Sequence, residues 1–127
     1  MHILVVDDKP KILESITNLL AKFDITVESA TNGLDGYEKA IKRHYDLYIV
    51  DHLMPIMNGL QLVKSLKSRP TTADTPILFM TTQELSRVEK LSEFPLFSAV
   101  MHKPIEGEIF YQLINKLLPK NTLHQSL

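Results

Sequence analysis

Four places in the sequence put chemistry-bearing side chains directly after apolar runs. Asp7-Asp8 follow ILVV, Asp51 follows LYIV, Thr81-Thr82 follow ILFM, and Lys103 follows AVMH. Adjacent carboxylates repel, which raises the pKa of at least one, so such a pair persists cheaply only in water or beside a cation. Alone, Asp7-Asp8 reads as a solvated strand end. Together with Asp51 it reads as part of a metal site, because three clustered carboxylates favour a divalent cation. Hard oxygen ligands with few protein contacts suit Mg²⁺, with Mn²⁺ as a substitute. An aspartate can also act as a nucleophile and form an aspartyl phosphate. The metal would then offset charge on the incoming phosphoryl oxygens, while Lys103 and the Thr81 hydroxyl would contact others. Residue types alone do not say which aspartate is the acceptor.

These side chains converge only if the apolar runs are strands of one sheet. Residues 2–6 read as a buried strand, and Pro10 suits a helix start. Ile12, Leu13, Ile16, Leu19, Leu20 and Phe23 then recur at helical spacing. Residues 25–30 alternate as a half-buried strand, Asn32-Gly33 is turn chemistry, and 34–43 reads as a helix with Leu34, Tyr37, Ala40 and Ile41 on one face. A strand over 46–50 ends at Asp51. A loop follows, and a third helix carries Leu60, Leu62, Val63 and Leu66. Residues 77–80 form a fourth strand. Residues 84–94 form a weaker helix, with Leu85, Val88, Leu91 and Phe94, stopped by Pro95. A short strand over 98–102 and a helix over about 106–118 complete the pattern. Alternating strands and helices imply an α/β fold with a parallel sheet covered on both faces. In such sheets ligands bind outside the carboxyl ends of the strands, where all four polar places would fall. Residues 1–119 are expected to form one domain, and 120–127, which carry no periodic signal, a mobile tail.

Composition excludes several classes. The 127 residues carry a formal net charge of −1, with no dense basic run, which gives no electrostatic case for nucleic acid or anionic membrane. The absence of cysteine removes disulfides, zinc thiolates and thiol nucleophiles. No apolar run approaches membrane-spanning length, and MHILVVDD lacks the layout of a secretory signal.

The motifs VVDD at 5–8, VDHLMPIMNG at 50–59, FMTT at 79–82 and HKP at 102–104 occur in order. Spacings are 44 residues from Asp7 to Asp51, 30 to Thr81 and 22 to Lys103. Over essentially the whole chain this set resembles the response-regulator receiver domains of two-component signalling. The resemblance implies a flavodoxin-like (βα)5 doubly wound sheet in strand order 2-1-3-4-5. It implies that Asp51 is the phosphoacceptor, taking a phosphoryl group from a sensor histidine kinase or phosphotransfer protein. Asp8 and Asp51 would ligate Mg²⁺, Asp7 would act mainly through water, and the Leu53 backbone carbonyl would add a ligand. Thr81 would move toward the phosphoryl group, Lys103 would pair with it, and the Lys103–Pro104 peptide would be cis. It further implies a cytoplasmic switch module rather than an enzyme acting on an external substrate. That module would show weak self-phosphorylation and autodephosphorylation, act on a downstream output protein or domain, and make no direct contact with nucleic acid or membrane.

The sequence departs from that pattern in places. Val100 stands where receivers commonly carry Tyr or Phe, and is expected simply to pack. Phe94, Pro95, Leu96 and Phe97 form a local apolar cluster, read as core rather than an exposed docking patch. The docking alternative leaves open a homodimer through residues 84–97 and the last helix. His52, next to the acceptor, is read as a packed or partly exposed histidine rather than a base. His44, His102 and His124 lie too far apart in sequence to suggest a metal site. Thr82 could narrow access to the acceptor. Among rivals, haloacid-dehalogenase-type phosphatases separate their acidic residues by one, whereas Asp7 and Asp8 are adjacent. DDKPK lacks the Gly-rich turn of a dinucleotide fold. A degenerate pseudo-receiver acting only as an interaction module is the remaining alternative, disfavoured because Asp7, Asp8, Asp51, Thr81 and Lys103 are all present.

Overall fold

Each apolar run becomes a strand of one parallel sheet, and each amphipathic stretch returns the chain to the sheet's starting edge. A computed structural model describes residues 1–120 and 122–124. The elements are β1 (His2–Val6), α1 (Pro10–Leu20), β2 (Thr26–Ala30), α2 (Gly33–Ala40), β3 (Leu47–Asp51), α3 (Gly59–Lys67), β4 (Ile77–Thr81), α4 (Leu85–Val88), β5 (Ala99–His102) and α5 (Gly107–Leu117). Short 3₁₀ turns occupy Phe94–Leu96 and Thr122–His124. The sheet order is β2-β1-β3-β4-β5, all parallel, as the resemblance implied. Among the described residues no helix is long and apolar enough to cross a membrane.

Strand pleating divides the core in two. Ile3, Val5, Leu47, Ile49, Leu78, Met80 and Met101 point to the face covered by α1 and α5, through Ile16, Leu20, Phe110 and Ile114. Leu4, Val6, Tyr48, Val50, Ile77 and Phe79 point to the opposite face, against Ala40 of α2 and Leu62, Val63 and Leu66 of α3. Side chains alternate along a strand, so β3 and β4, wholly buried, carry apolar residues on both faces. Each such side chain stabilises the fold by about 1.5–3 kcal/mol relative to exposure.

Two helical expectations need correction. The face of α2 toward the sheet carries Gly33, Gly36 and Ala40, whereas Leu34 and Ile41 are exposed. Gly36 allows the helix to lie directly on Val6: a Cβ there would sit 2.8 Å from a Val6 methyl. A hydrophobic-period argument cannot see a contact made by a glycine. The helix expected over 84–94 is a single turn, Leu85–Val88. Leu85, Val88, Leu91 and Phe94 recur every three residues, and the bonds between them follow that spacing, from Leu91 N to Val88 O and from Phe94 N to Leu91 O. That is the 3₁₀ period, and Pro95 lies inside the next 3₁₀ turn instead of stopping a helix.

The apolar cluster beyond it is mostly packed inward. Phe97 stacks on the buried Phe79 ring, with centroids 4.0 Å apart and planes 6° apart, and Phe94 meets Phe97 edge-on at 6.2 Å. Leu96 and Val100 pack half-buried on the same side of the sheet. Of the segment expected to be a mobile tail, Leu123 packs against the α1/α5 core and the Thr122 hydroxyl bonds to Pro119 O at 2.6 Å. Residues 121 and 125–127 lie outside the described residues.

At the sheet's edge strand, Tyr45 OH donates to Glu28, which also pairs with Arg43. The Tyr45 bond, ahead of the Arg43 contacts, holds the Glu28 carboxyl below its ordinary value near 4.5. Glu28 therefore adds stability above pH 4.5 and loses it as pH falls through its depressed value. Tyr45→Phe is expected to cost about 1 kcal/mol at pH 7. The gap to wild type should close as pH drops below 4.5, as read by urea denaturation across pH.

Candidate functional site

Register decides which side chains meet. Val6 pairs with Val50, so Asp7 and Asp51 are level. Asp51 pairs with Met80 and Met80 with Met101, while Thr81 pairs with His102, so Thr81 lies one step beyond Asp51 and Lys103 two. By the pleat, Asp7, Asp51 and Lys103 share the α1/α5 face, and His52 and Thr81 share the other.

The first group is a buried ion triad. Lys103 Nζ lies 2.9 Å from Asp7 Oδ2 and 2.8 Å from Asp51 Oδ1. Asp7 is fully buried, Asp51 and Lys103 nearly so. Burial pushes the Asp7 carboxyl above the usual range, against the opposing pull of the Lys103 hydrogen bond and of the Lys9 N–H, which donates to Oδ1 at 2.9 Å. Burial alone would lower the Lys103 ammonium, but its bonds to Asp51 and Asp7 prevail and hold it above its ordinary value.

Asp8 and Lys9 complete the acidic side. One carboxylate oxygen from each of Asp7, Asp8 and Asp51 lies within 4.8 Å of the others. The Lys9 ammonium stands 3.3 Å from Asp8 Oδ1 and 4.0 Å from Asp51 Oδ2. Asp51 Oδ2 is buried and accepts no hydrogen bond. A buried carboxylate oxygen without a donor, beside two more carboxylates, fits a hard divalent cation. Lys9 was not expected at the site, although its position beside the acidic pair was the available signal. A cleft of about 480 Å³ opens over the group, lined by Lys9, Asp51, Leu53, Thr82 and Lys103 among others. Thr82 is on its rim, as the sequence suggested, and the cis Lys103–Pro104 peptide is present.

Thr81 stands apart from the triad. Its hydroxyl accepts the Gln83 N–H at 3.0 Å and lies 2.9 Å from His52 Nδ1. The Gln83 N–H uses one of the two lone pairs of that oxygen, so the direction of the His52–Thr81 bond is set by the imidazole tautomer: with the ring proton on Nε2, the hydroxyl donates to Nδ1. Burial lowers the His52 pKa, partly countered by Asp51, so the ring is neutral near pH 7. The ring also packs on Phe79, with centroids 5.0 Å apart. His52 is packed, as expected, but its bond to Thr81 depends on pleat and register and was not anticipated.

The loop after Asp51 is clamped at its base. Gly59 N donates to His52 O at 2.9 Å, and a Cβ on Gly59 would lie 2.0 Å from Asp51 O, so only glycine fits. An Asn58–Gln61 capping box starts α3 at that point. At the loop's tip Ile56 adopts φ 70° while Met57 N bonds to Pro55 O at 2.8 Å, a γ-turn rarely made by a β-branched residue. Ile56 and Leu53 are both exposed there.

Comparison with known proteins gives a consistent picture. The model of the response regulator receiver domain matches residues 3–115. Protein PilH of Pseudomonas aeruginosa is 29% identical over 117 residues, which cover 92% of this chain and 97% of PilH. The chemotaxis response regulator CheY4 of Vibrio cholerae is 30% identical with a TM-score of 0.84, over 92% of this chain and 98% of that one. TrrA of Thermotoga maritima, solved in complex with Mg²⁺-BeF, is 28% identical with a TM-score of 0.81, over the same shares. The matched part of the chain spans about a third of the length of the transcriptional regulatory proteins CusR and DltR and of the response regulator ArlR.

Lys103→Met tests the triad. It strands Asp7 and Asp51 in the interior, which should cost about 3–5 kcal/mol at pH 7. Because the Asp7 pKa then rises further, the penalty should shrink as pH falls toward the ordinary aspartate value of 3.8. Millimolar Mg²⁺ should recover part of it at pH 7. Denaturant midpoints with and without the cation measure both effects.

Proposed function

The chain belongs to the response regulator receiver domain family, and from that premise we propose that Asp51 is the phosphoacceptor of a two-component or phosphorelay switch. The observation that carries this reading is the state of the Asp51 carboxylate. Oδ1 is fixed by Lys103 at 2.8 Å, while Oδ2 is buried without a hydrogen-bond donor. In the transfer, an Asp51 oxygen attacks the phosphorus of a phosphohistidine on a sensor kinase or phosphotransfer protein. The P–N bond breaks, its electron pair returns to the imidazole, and an aspartyl phosphate remains. Dephosphorylation is a hydrolysis: water attacks the phosphorus, the bond to Asp51 breaks, its electron pair returns to the carboxylate, and inorganic phosphate leaves with one proton of the water while the other passes to solvent.

Asp7, Asp8, Asp51 and the Leu53 carbonyl are the groups that would hold Mg²⁺, or Mn²⁺ with the same oxygen donors. When bound, the cation supplies positive charge that offsets the phosphoryl oxygens. The TrrA complex with Mg²⁺-BeF supports extending this chemistry to a chain of the same fold. Lys103, already charged and fixed, pairs with a phosphoryl oxygen. Lys9 neutralises Asp8 before a cation arrives and must swing aside for one. The Thr81 hydroxyl reaches a further phosphoryl oxygen once released from His52. Weak self-phosphorylation from small donors and autodephosphorylation follow from the same groups. The output is a change in affinity for a partner protein or domain, or for a second copy through residues 84–97 and α5, and the module works in the cytoplasm.

Incubation with acetyl phosphate and Mg²⁺ should add one phosphoryl group to the wild-type chain, as read by intact mass. Asp51→Asn should show no adduct, and excess chelator or Asp8→Ala should abolish it. A stable adduct on another residue rejects Asp51.

A further inference from the structure

We infer that His52 is a positioning residue for Thr81, holding the threonine hydroxyl on the sheet face away from Asp51 and so opposing the switch. The inference rests on the phosphoacceptor reading of Asp51.

The Thr81 hydroxyl is buried and committed at both ends. It takes the Gln83 N–H at 3.0 Å and lies 2.9 Å from His52 Nδ1. In the tautomer with the ring proton on Nε2, on which the inference rests, the hydroxyl gives its single proton to Nδ1. To donate that proton to a phosphoryl oxygen on Asp51, Thr81 must give up His52. The Nδ1 lone pair is then left inside the protein, where among the described residues no other side-chain or backbone donor bonds to it. The ring cannot simply follow the threonine, because it packs on Phe79, which is stacked on Phe97, which meets Phe94 edge-on. An apolar side chain at position 52 would make no such bond. One hydrogen bond of ordinary net strength moves a two-state balance by about fivefold, so His52 shifts the resting population away from the engaged threonine by about that factor. The ladder of rings leads from this bond to the half-buried Phe94 and Phe97, on the face where Val100 offers no aromatic ring.

The test uses the full chain with Mg²⁺ and beryllofluoride, a tetrahedral stand-in for the phosphoryl group. Affinity is measured by titration for wild type, His52→Leu and His52→Asn, each with and without Thr81→Ala. His52→Leu should bind about fivefold more tightly. His52→Asn, whose amide oxygen can take the same proton, should stay within about twofold of wild type. The Leu gain should vanish in the Thr81→Ala background, which a purely structural effect would not do. Equal affinity of His52→Leu and wild type, or a gain that survives Thr81→Ala, overturns the inference. Should His52→Leu fail to fold, the imidazole ¹⁵N resonances of the wild type decide. On saturation with beryllofluoride, Nδ1 should move to the position of a free lone pair, and an unmoved resonance overturns the inference. If the wild type binds no beryllofluoride and acetyl phosphate gives no Asp51 adduct, the phosphoacceptor reading falls and this inference with it.

Discussion

The Lys103 ammonium between Asp7 and Asp51 is the interaction on which the rest of the structure turns. It joins the ends of three strands and lets two carboxylates stay buried at the edge of an otherwise apolar sheet. A buried ion pair adds little to stability compared with an apolar replacement, and breaking one is expensive. Its value is therefore positional. It fixes one oxygen of Asp51 and leaves the other without a donor, so the carboxylate is rigid and still able to bind or attack. Three carboxylates set against the ammoniums of Lys9 and Lys103 leave one net negative charge in the cleft, which favours a cation before any anion.

Strand pleating then splits the site into two halves. The charged half lies toward α1 and α5, and the hydroxyl–imidazole half lies toward α2 and α3. The two halves meet only at the tips of β3 and β4, where Asp51 and His52 are consecutive and Thr81 is one step beyond. Consecutive residues on a strand face opposite ways, so a change at Asp51 can reach the other layer of the core without passing through the sheet. Aromatic packing continues from His52 through Phe79 to Phe97, which gives that layer a stiff route to the surface.

Much of this was legible in the sequence, for identifiable reasons. Buried parallel strands read as unbroken apolar runs, and a polar residue directly after such a run marks the edge where ligands bind. The grouping of Asp7, Asp8, Asp51 and Lys103 was therefore legible from type and position alone. The His52–Thr81 bond was not, because it needs the relative register of β3 and β4, which no local pattern encodes. The face of α2 was misjudged because its sheet contact is made by Gly36 and leaves no hydrophobic signal. The segment after Thr82 was read as a longer helix because a repeat of three looks helical over a few residues, yet beyond the single turn of α4 its bonds follow the 3₁₀ spacing.

The bond from Gly59 N to His52 O closes the base of the loop that follows Asp51. The chain leaves the sheet at one residue and is returned to the same place by the next helix, so the intervening residues form a closed excursion. The entropic cost of closing such a loop grows only slowly with its length. The tip of that loop, where Ile56 is exposed, is thus held apart from the base that is anchored beside Asp51. That tip can change in length and in composition while Asp7, Asp51 and Lys103 keep their places.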